Sequence, residues 1–141
     1  MTADVDPDTG GGFDTPLPCE AYANAPDLRR EIRRVHALGA ERDGRRAGMD
    51  TGPPRVDTVA AERVHLLRRA ALMDRMALEA PGSGAVGAAR RAAEQLVLYD
   101  RRHPELVAGP RRPDSIESGP GRRPYVRQEY AAWTAAGCPG T

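Results

Sequence analysis

Apolar residues recur at helical spacing in four stretches of the chain, and polar residues fill the positions between them. Spacings of three and four residues place side chains on one face of a helix. The first stretch predicts a helix over residues 25–43, with Asn24 as its cap and Pro26 and Asp27 in its first turn. Its apolar positions are Leu28, Ile32, Val35 and Leu38.

The second stretch predicts a longer helix over residues 57–80, capped by Asp57 and stopped by Pro81. Its apolar positions fill more than half of the circumference, which is typical of a helix that faces a core. Arg63 and Asp74 fall inside this apolar arc, and Asp74 there predicts either an ion pair with an arginine of a facing helix or a partly exposed position. The polar side is Glu62, His65, Arg68, Arg69, Arg75 and Glu79.

A short Pro-Gly-Ser-Gly turn at residues 81–84 separates this helix from a third one, predicted over residues 84–102. So short a connection favours an antiparallel return. The facing stripe of the third helix is rich in alanine, which permits close approach but fills little volume. Its members are Ala85, Ala88, Ala89, Ala92, Ala93, Leu96 and Tyr99.

The fourth stretch predicts a C-terminal helix over residues 124–136, in which Val126, Tyr130 and Trp133 share one face. With Tyr125, this segment holds half of the aromatic residues of the chain. Two interpretations stay open: the helix docks on its own hairpin, or it presents the four side chains to a protein partner as a helix in a groove. We take Tyr125, Val126, Tyr130 and Trp133 as candidate partner-binding residues.

The predicted fold class is all-α: an antiparallel helical hairpin with flanking N-terminal and C-terminal helices and disordered segments. Residues 1–23 are expected to be a disordered acidic tail, and residues 24–103 a helical domain centred on hairpin 57–102. Residues 104–123, rich in Pro, Gly and Arg, are expected to be a linker before the helix of residues 124–136. A core this small favours self-association into a dimer.

All 21 basic residues are arginine, a pattern typical of a GC-rich genome and also suited to binding phosphate groups. Six acids and no arginine lie in residues 1–27, so an acidic segment precedes a basic body and can fold back on it. The candidate polyanion-contacting residues are Arg29, Arg30, Arg33, Arg34, Arg111, Arg112, Arg122 and Arg123.

Candidate catalytic or metal-binding patterns are sparse. Glu62 and His65 form a Glu-x-x-His pair, but the chain has no second copy and the pair is predicted on the polar side of its helix. Asp100 and His103 lie one turn apart without a nucleophile motif beside them. We therefore expect no catalytic residues, no cofactor and no metal site.

The cysteines and the apolar content bear on the cellular location of the chain. Cys19 and Cys138 have no spacing typical of zinc sites or of a disulfide framework. We see neither a signal peptide nor an apolar run of about 20 residues, so we expect a cytoplasmic protein with no membrane contact. The expected function is a non-catalytic module for protein–protein interaction or regulation. The alternative is an accessory nucleic-acid-binding protein that uses the arginine clusters.

Overall fold

Five α-helices make up the described part of the chain. The computed structural model describes residues 6–10, 13–44, 56–116 and 121–140. The helices are α1 (Pro18–Ala21), α2 (Leu28–Gly44), α3 (Val56–Glu79), α4 (Ser83–Arg102) and α5 (Arg122–Ala135). Two short 3-10 turns, Pro104–Leu106 and Pro113–Ser115, lie between α4 and α5. No strand element occurs in these ranges, so the predicted all-α class is confirmed.

The hairpin of α3 and α4 forms the base of the fold, and each of its two helices ends within one residue of its predicted bounds. The two helices pack along their length, and Ala89, Ala92 and Ala93 are buried where they meet. These small side chains leave room beside the hairpin for a third helix. That place is taken by α5, which contacts both α3 and α4.

Helix α5 is the central helix of the bundle, because residues 123–130 are all buried. The hairpin covers one side of α5, the segment that contains α1 covers another, and the segment after α4 covers a third. The helix ends at Ala135, and Gly137 follows with φ +87°. A backbone hydrogen bond from the Cys138 N–H to the Trp133 carbonyl closes this end, as in a Schellman motif.

Helix α2 lies on the outside of the hairpin, against α3. It begins at Leu28 rather than near Asn24, because the carboxylate of Asp27 accepts a hydrogen bond from the backbone N–H of Arg30 at 3.0 Å and so acts as the cap. The predicted polar side of α3 is therefore not wholly in solvent. His65 and Arg68 lie beneath α2 and are buried.

The described part of the acidic N-terminal segment packs on the bundle. Ala21 is buried, and the ring of Tyr22 stacks edge-on against Tyr130 at 5.3 Å between centroids. Residues 1–5, 11 and 12 lie outside the described residues.

Helix α3 begins at Val56, one residue before its predicted start at Asp57. The predicted linker is also partly structured, since Gly109, Pro113 and Ile116 are buried against the helices. Residues 45–55 and 117–120 lie outside the described residues.

Candidate functional site

The C-terminal aromatic stripe is part of the core. Tyr125 and Val126 are fully buried, and Tyr130 and Trp133 are 3% and 7% exposed. The indole N–H of Trp133 donates to the Pro139 carbonyl at 2.9 Å, and the Arg68 guanidinium lies 5.5 Å from the centre of the Trp133 ring. In the structure this helix therefore docks on its own hairpin, and these four side chains form no exposed stripe for a partner.

Buried ion pairs hold the hairpin to α5, and one of them involves both helices of the hairpin. Arg63 of α3 makes two hydrogen bonds to Asp100 of α4, at 3.0 and 2.8 Å, and one to Glu129 of α5 at 2.7 Å. The Tyr125 hydroxyl donates to the same Asp100 carboxylate at 2.7 Å. Glu129 in turn accepts from the backbone N–H of Gly109 at 2.7 Å. Arg63, Asp100 and Glu129 therefore serve as structural links between α3, α4 and α5.

A second buried cluster surrounds Asp74, as the ion-pair interpretation of that residue predicted. Arg127 donates to both oxygens of the Asp74 carboxylate at 2.9 Å, and Arg123 donates to one of them at 2.6 Å. The Tyr22 hydroxyl also donates to Asp74, at 2.6 Å. One carboxylate on α3 thus joins two arginines of α5 to the segment that contains α1.

Burial shifts the pKa values of several groups in these clusters. Desolvation, reinforced by the negative charge of Asp74, raises the pKa of Tyr22 well above its usual value. Desolvation and Asp100 raise the pKa of Tyr125 in the same way. Burial opposes the charge of Arg63, but the hydrogen bonds and charges of Asp100 and Glu129 outweigh it and raise the pKa of that guanidinium. Both tyrosines are therefore neutral donors in the core at neutral pH.

The eight arginines expected to contact a polyanion fall into different environments. Arg123 is buried in the Asp74 cluster, and Arg122 lies 3.3 Å from Glu94. Arg111 and Arg112 are exposed, on a segment that packs against α4 and α5. Arg29, Arg30, Arg33 and Arg34 are all exposed on the outer helix α2.

A groove of about 460 Å³ runs beside α2 and has a strongly basic lining. The Arg68 guanidinium makes two hydrogen bonds to the Glu31 carboxylate, at 2.7 and 2.9 Å, so the one acid in the lining is already paired. That pairing raises the pKa of Arg68. The groove is lined by Pro26, Arg30, Glu31, Arg33, Arg34, Ala37 and Arg68.

A second groove, of about 660 Å³, lies between α2 and α3 and includes the Glu62 and His65 pair. Nε2 of His65 lies close to Gly39, so the ring is held between the two helices instead of in solvent. Burial, and next the charge of Arg42, lower the pKa of His65. Within the part of the chain that the structure describes, no three His, Cys, Asp or Glu side chains are grouped as a metal site would require.

Sequence reasoning missed Arg127 and Glu129 as core residues. A signal for Arg127 was present, because Arg123, Arg127 and Tyr130 are spaced four and three residues apart and so share a face. Two arginines in an aromatic stripe indicate a buried acid opposite. Glu129 is likewise spaced four residues from Tyr125 and from Trp133, but its partners come from α3 and from the segment after α4, which no local pattern identifies.

Comparison with known proteins gave no match to a family model, to a curated protein or to a solved structure. Among the described helices, none is both long enough and apolar enough to cross a membrane.

Proposed function

We propose that the chain is a non-catalytic binding protein, and that the exposed arginines of α2 bind the phosphate groups of a nucleic acid. The observation that carries this proposal is the charge pattern of α2. Arg29, Arg30, Arg33 and Arg34 are exposed within little more than one turn and a half, whereas the acid between them, Glu31, is buried and neutralised by Arg68. The outer face is therefore cationic over this length.

The other candidate contact residues, on α5, are buried, which supports the choice of α2 as the binding surface. Arg123 is buried and paired with Asp74, and the aromatic stripe of α5 is buried, so neither offers a surface that a nucleic acid can contact. Asp74 and Asp100, which could otherwise serve acid–base chemistry, are both held in ion pairs. The basic groove beside α2 adds a concave surface next to the exposed arginines. These features suit contacts with phosphate oxygens that do not depend on sequence.

The test is the salt dependence of binding to a labelled duplex of random sequence, read by fluorescence anisotropy. Four phosphate contacts predict that log K falls against log salt with a slope of about −3 to −4. The double variant Arg33→Gln/Arg34→Gln should weaken binding and reduce the size of the slope by about 2. The matched control is Arg90→Gln/Arg91→Gln, which removes the same charge from exposed positions of α4. Equal effects of the two double variants would overturn the assignment to α2.

A protein partner with an acidic surface is the second candidate, and Ile32 favours it. This side chain is 43% exposed among the arginines of α2, where a phosphate backbone has no apolar group to match it. If the ligand is a protein, Ile32→Ser should weaken its capture as strongly as Arg33→Gln/Arg34→Gln. If the ligand is a nucleic acid, Ile32→Ser should leave the affinity unchanged.

Self-association stays a prediction of its own. It was predicted from the small size of the core, and α5 now shares one core cluster with Leu67, Ala70 and Ala71 of α3. Sedimentation at micromolar concentration measures it directly: a dimer would support the prediction, and a stable monomer would show that α2 and α5 provide enough cover.

A further inference from the structure

Arg123 and Arg127 share a single buried carboxylate, although each guanidinium carries a full charge. Both donate to Asp74, and the Tyr22 hydroxyl donates to Oδ2 of the same carboxylate. One negative charge therefore faces two positive charges in a region from which water is largely excluded. A second anion near the pair would be favourable on electrostatic grounds alone.

That second anion is Asp8, from the segment before α1. Its carboxylate contacts Nη1 of Arg123. The side chain of Arg123 is 2% exposed, but that of Asp8 is 49% exposed, so the acid reaches the arginine from the surface. Asp8 lies in a turn closed by the hydrogen bond from the Gly10 N–H to the Asp6 carbonyl, at 2.8 Å. The turn acts as a cover on one side of the arginine pair.

The pair also has donors that Asp8 and Asp74 do not satisfy. Nη2 of Arg123 and Nη1 of Arg127 are buried and find no acceptor among the described residues. The cover lies next to the second of these atoms, since a Cβ built on Gly10 would be 3.7 Å from Nη1 of Arg127. Buried donors without an acceptor are costly, so an anion with more oxygens than a carboxylate would suit this place better than Asp8 does.

We infer that Arg123 and Arg127 form a binding site for a small phosphate-type oxyanion, and that Asp8 is an internal occupant which such an anion displaces. A tetrahedral oxyanion can accept from two nitrogens of one guanidinium and still offer oxygens to a second one. The ligand is small and free in solution, because the side chains of Arg123 and Arg127 are only 2% and 0% exposed and a polymer cannot reach them. The site is independent of the arginine face of α2.

The main test is isothermal titration calorimetry of the full chain with inorganic phosphate at low ionic strength. Asp8→Asn removes the competing charge from an exposed position and should raise the affinity for phosphate about tenfold, the size expected for one charge-assisted contact. Asp14→Asn is the matched control, because it removes an exposed acid from the same segment. It should behave like the unmodified protein. Equal phosphate affinity with and without Asp8→Asn, or an equal gain from Asp14→Asn, would overturn the inference.

Two further measurements fix the location of the bound anion. Adding Arg123→Gln to Asp8→Asn should abolish the gained affinity, and a thermal melt checks that this double variant is folded. Should it unfold, nuclear magnetic resonance of arginine Nε–H groups in Asp8→Asn gives the answer instead: phosphate should shift the signals of Arg123 and Arg127. Arg33→Gln/Arg34→Gln should bind phosphate as the unmodified protein does, whether or not it binds nucleic acid. A phosphate response that disappears with this α2 variant would contradict the inference.

Discussion

The arginines of α5 and those of α2 have opposite environments although both helices carry them at similar density. Arg123 and Arg127 are buried because α3 presents Asp74 to them, and each forms hydrogen bonds with that carboxylate. Arg33 and Arg34 are exposed, and neither forms an ion pair with an acid among the described residues. The composition of a helix therefore does not decide whether its arginines are buried in ion pairs or exposed at the surface; the facing helix decides it.

Removal of Asp74 should give the largest loss of stability, and it tests whether the arginines of α5 are held by this carboxylate. Asp74→Ala leaves two guanidiniums buried without their shared carboxylate, which should lower the free energy of unfolding by about 3–5 kcal/mol. Denaturant unfolding measures the loss. Asp114→Ala, at an exposed acid, should change stability by less than about 0.5 kcal/mol, as should Arg33→Ala on α2. A change below about 1 kcal/mol for Asp74→Ala would show that the α5 arginines are not held as described.

Substitution of Trp133 tests whether the C-terminal end of α5 also belongs to the core. Trp133→Ala should cost about 3 kcal/mol, near the lower end of the range for a buried aromatic, because its ring edge is still slightly exposed. It is the one tryptophan of the chain. Its emission in the native protein should be blue-shifted and protected from quenchers. Emission at the wavelength of tryptophan in water, together with unchanged stability of the alanine variant, would place this end of α5 outside the core.

Substitution of Gly109 tests whether the loop after α4 packs closely on Gln128 of α5. A Cβ at this position would lie 2.4 Å from Cγ of Gln128, and that side chain is fixed by hydrogen bonds to the backbone of Arg111. Gly109→Ala should therefore lower the free energy of unfolding by about 2 kcal/mol through overpacking. Gly82→Ala is the control, since nothing lies within 4 Å of its Cβ position. Equal stability of the two variants would mean that the loop does not pack on Gln128.

The smallest expected effect is a pH dependence of stability that comes from His65, which is buried under α2. Burial lowers its pKa in the folded protein, so the unfolded chain binds the proton more readily. The stability that this difference contributes is full above about pH 6.5 and is lost as the pH falls towards the folded-state pKa. The charged groups around the ring are Arg42 and Asp43 of α2 with Glu62 and Arg69 of α3.

Urea unfolding at about pH 7.5 and about pH 5.5 measures this dependence. His65→Gln should reduce the loss of stability on acidification. An unchanged pH dependence in His65→Gln would show that the ring is not desolvated under α2.

The helices could be predicted from the sequence because their apolar positions repeat with a clear period. The bounds of α3 and α4 follow from Pro81 and from the short turn, and the ion-pair alternative for Asp74 followed from its place in an apolar arc. The burial of His65 and Arg68 could not be predicted, because it depends on which face of α3 the separate helix α2 covers. The choice between docking and exposure of Trp133 likewise depended on tertiary contacts that no local pattern encodes.

The contacts of the acidic N-terminal segment also could not be predicted from its sequence. Its charge and its glycines and prolines are typical of disorder, yet Tyr22 and Asp8 reach specific partners on α3 and α5. Charge complementarity between this segment and the basic body was visible in the sequence. The particular pair, Asp8 with Arg123, was not, because 115 residues separate the two side chains along the chain.

The most direct test of the central comparison is modification of the native protein with an arginine-selective dicarbonyl reagent, followed by mass spectrometry of the peptides. Arg29, Arg30, Arg33 and Arg34 should react rapidly, and Arg63, Arg123 and Arg127 should react only after unfolding in denaturant. Comparable rates for the two groups in the native protein would contradict the claim that these arginines of α5 are buried in ion pairs and those of α2 are exposed.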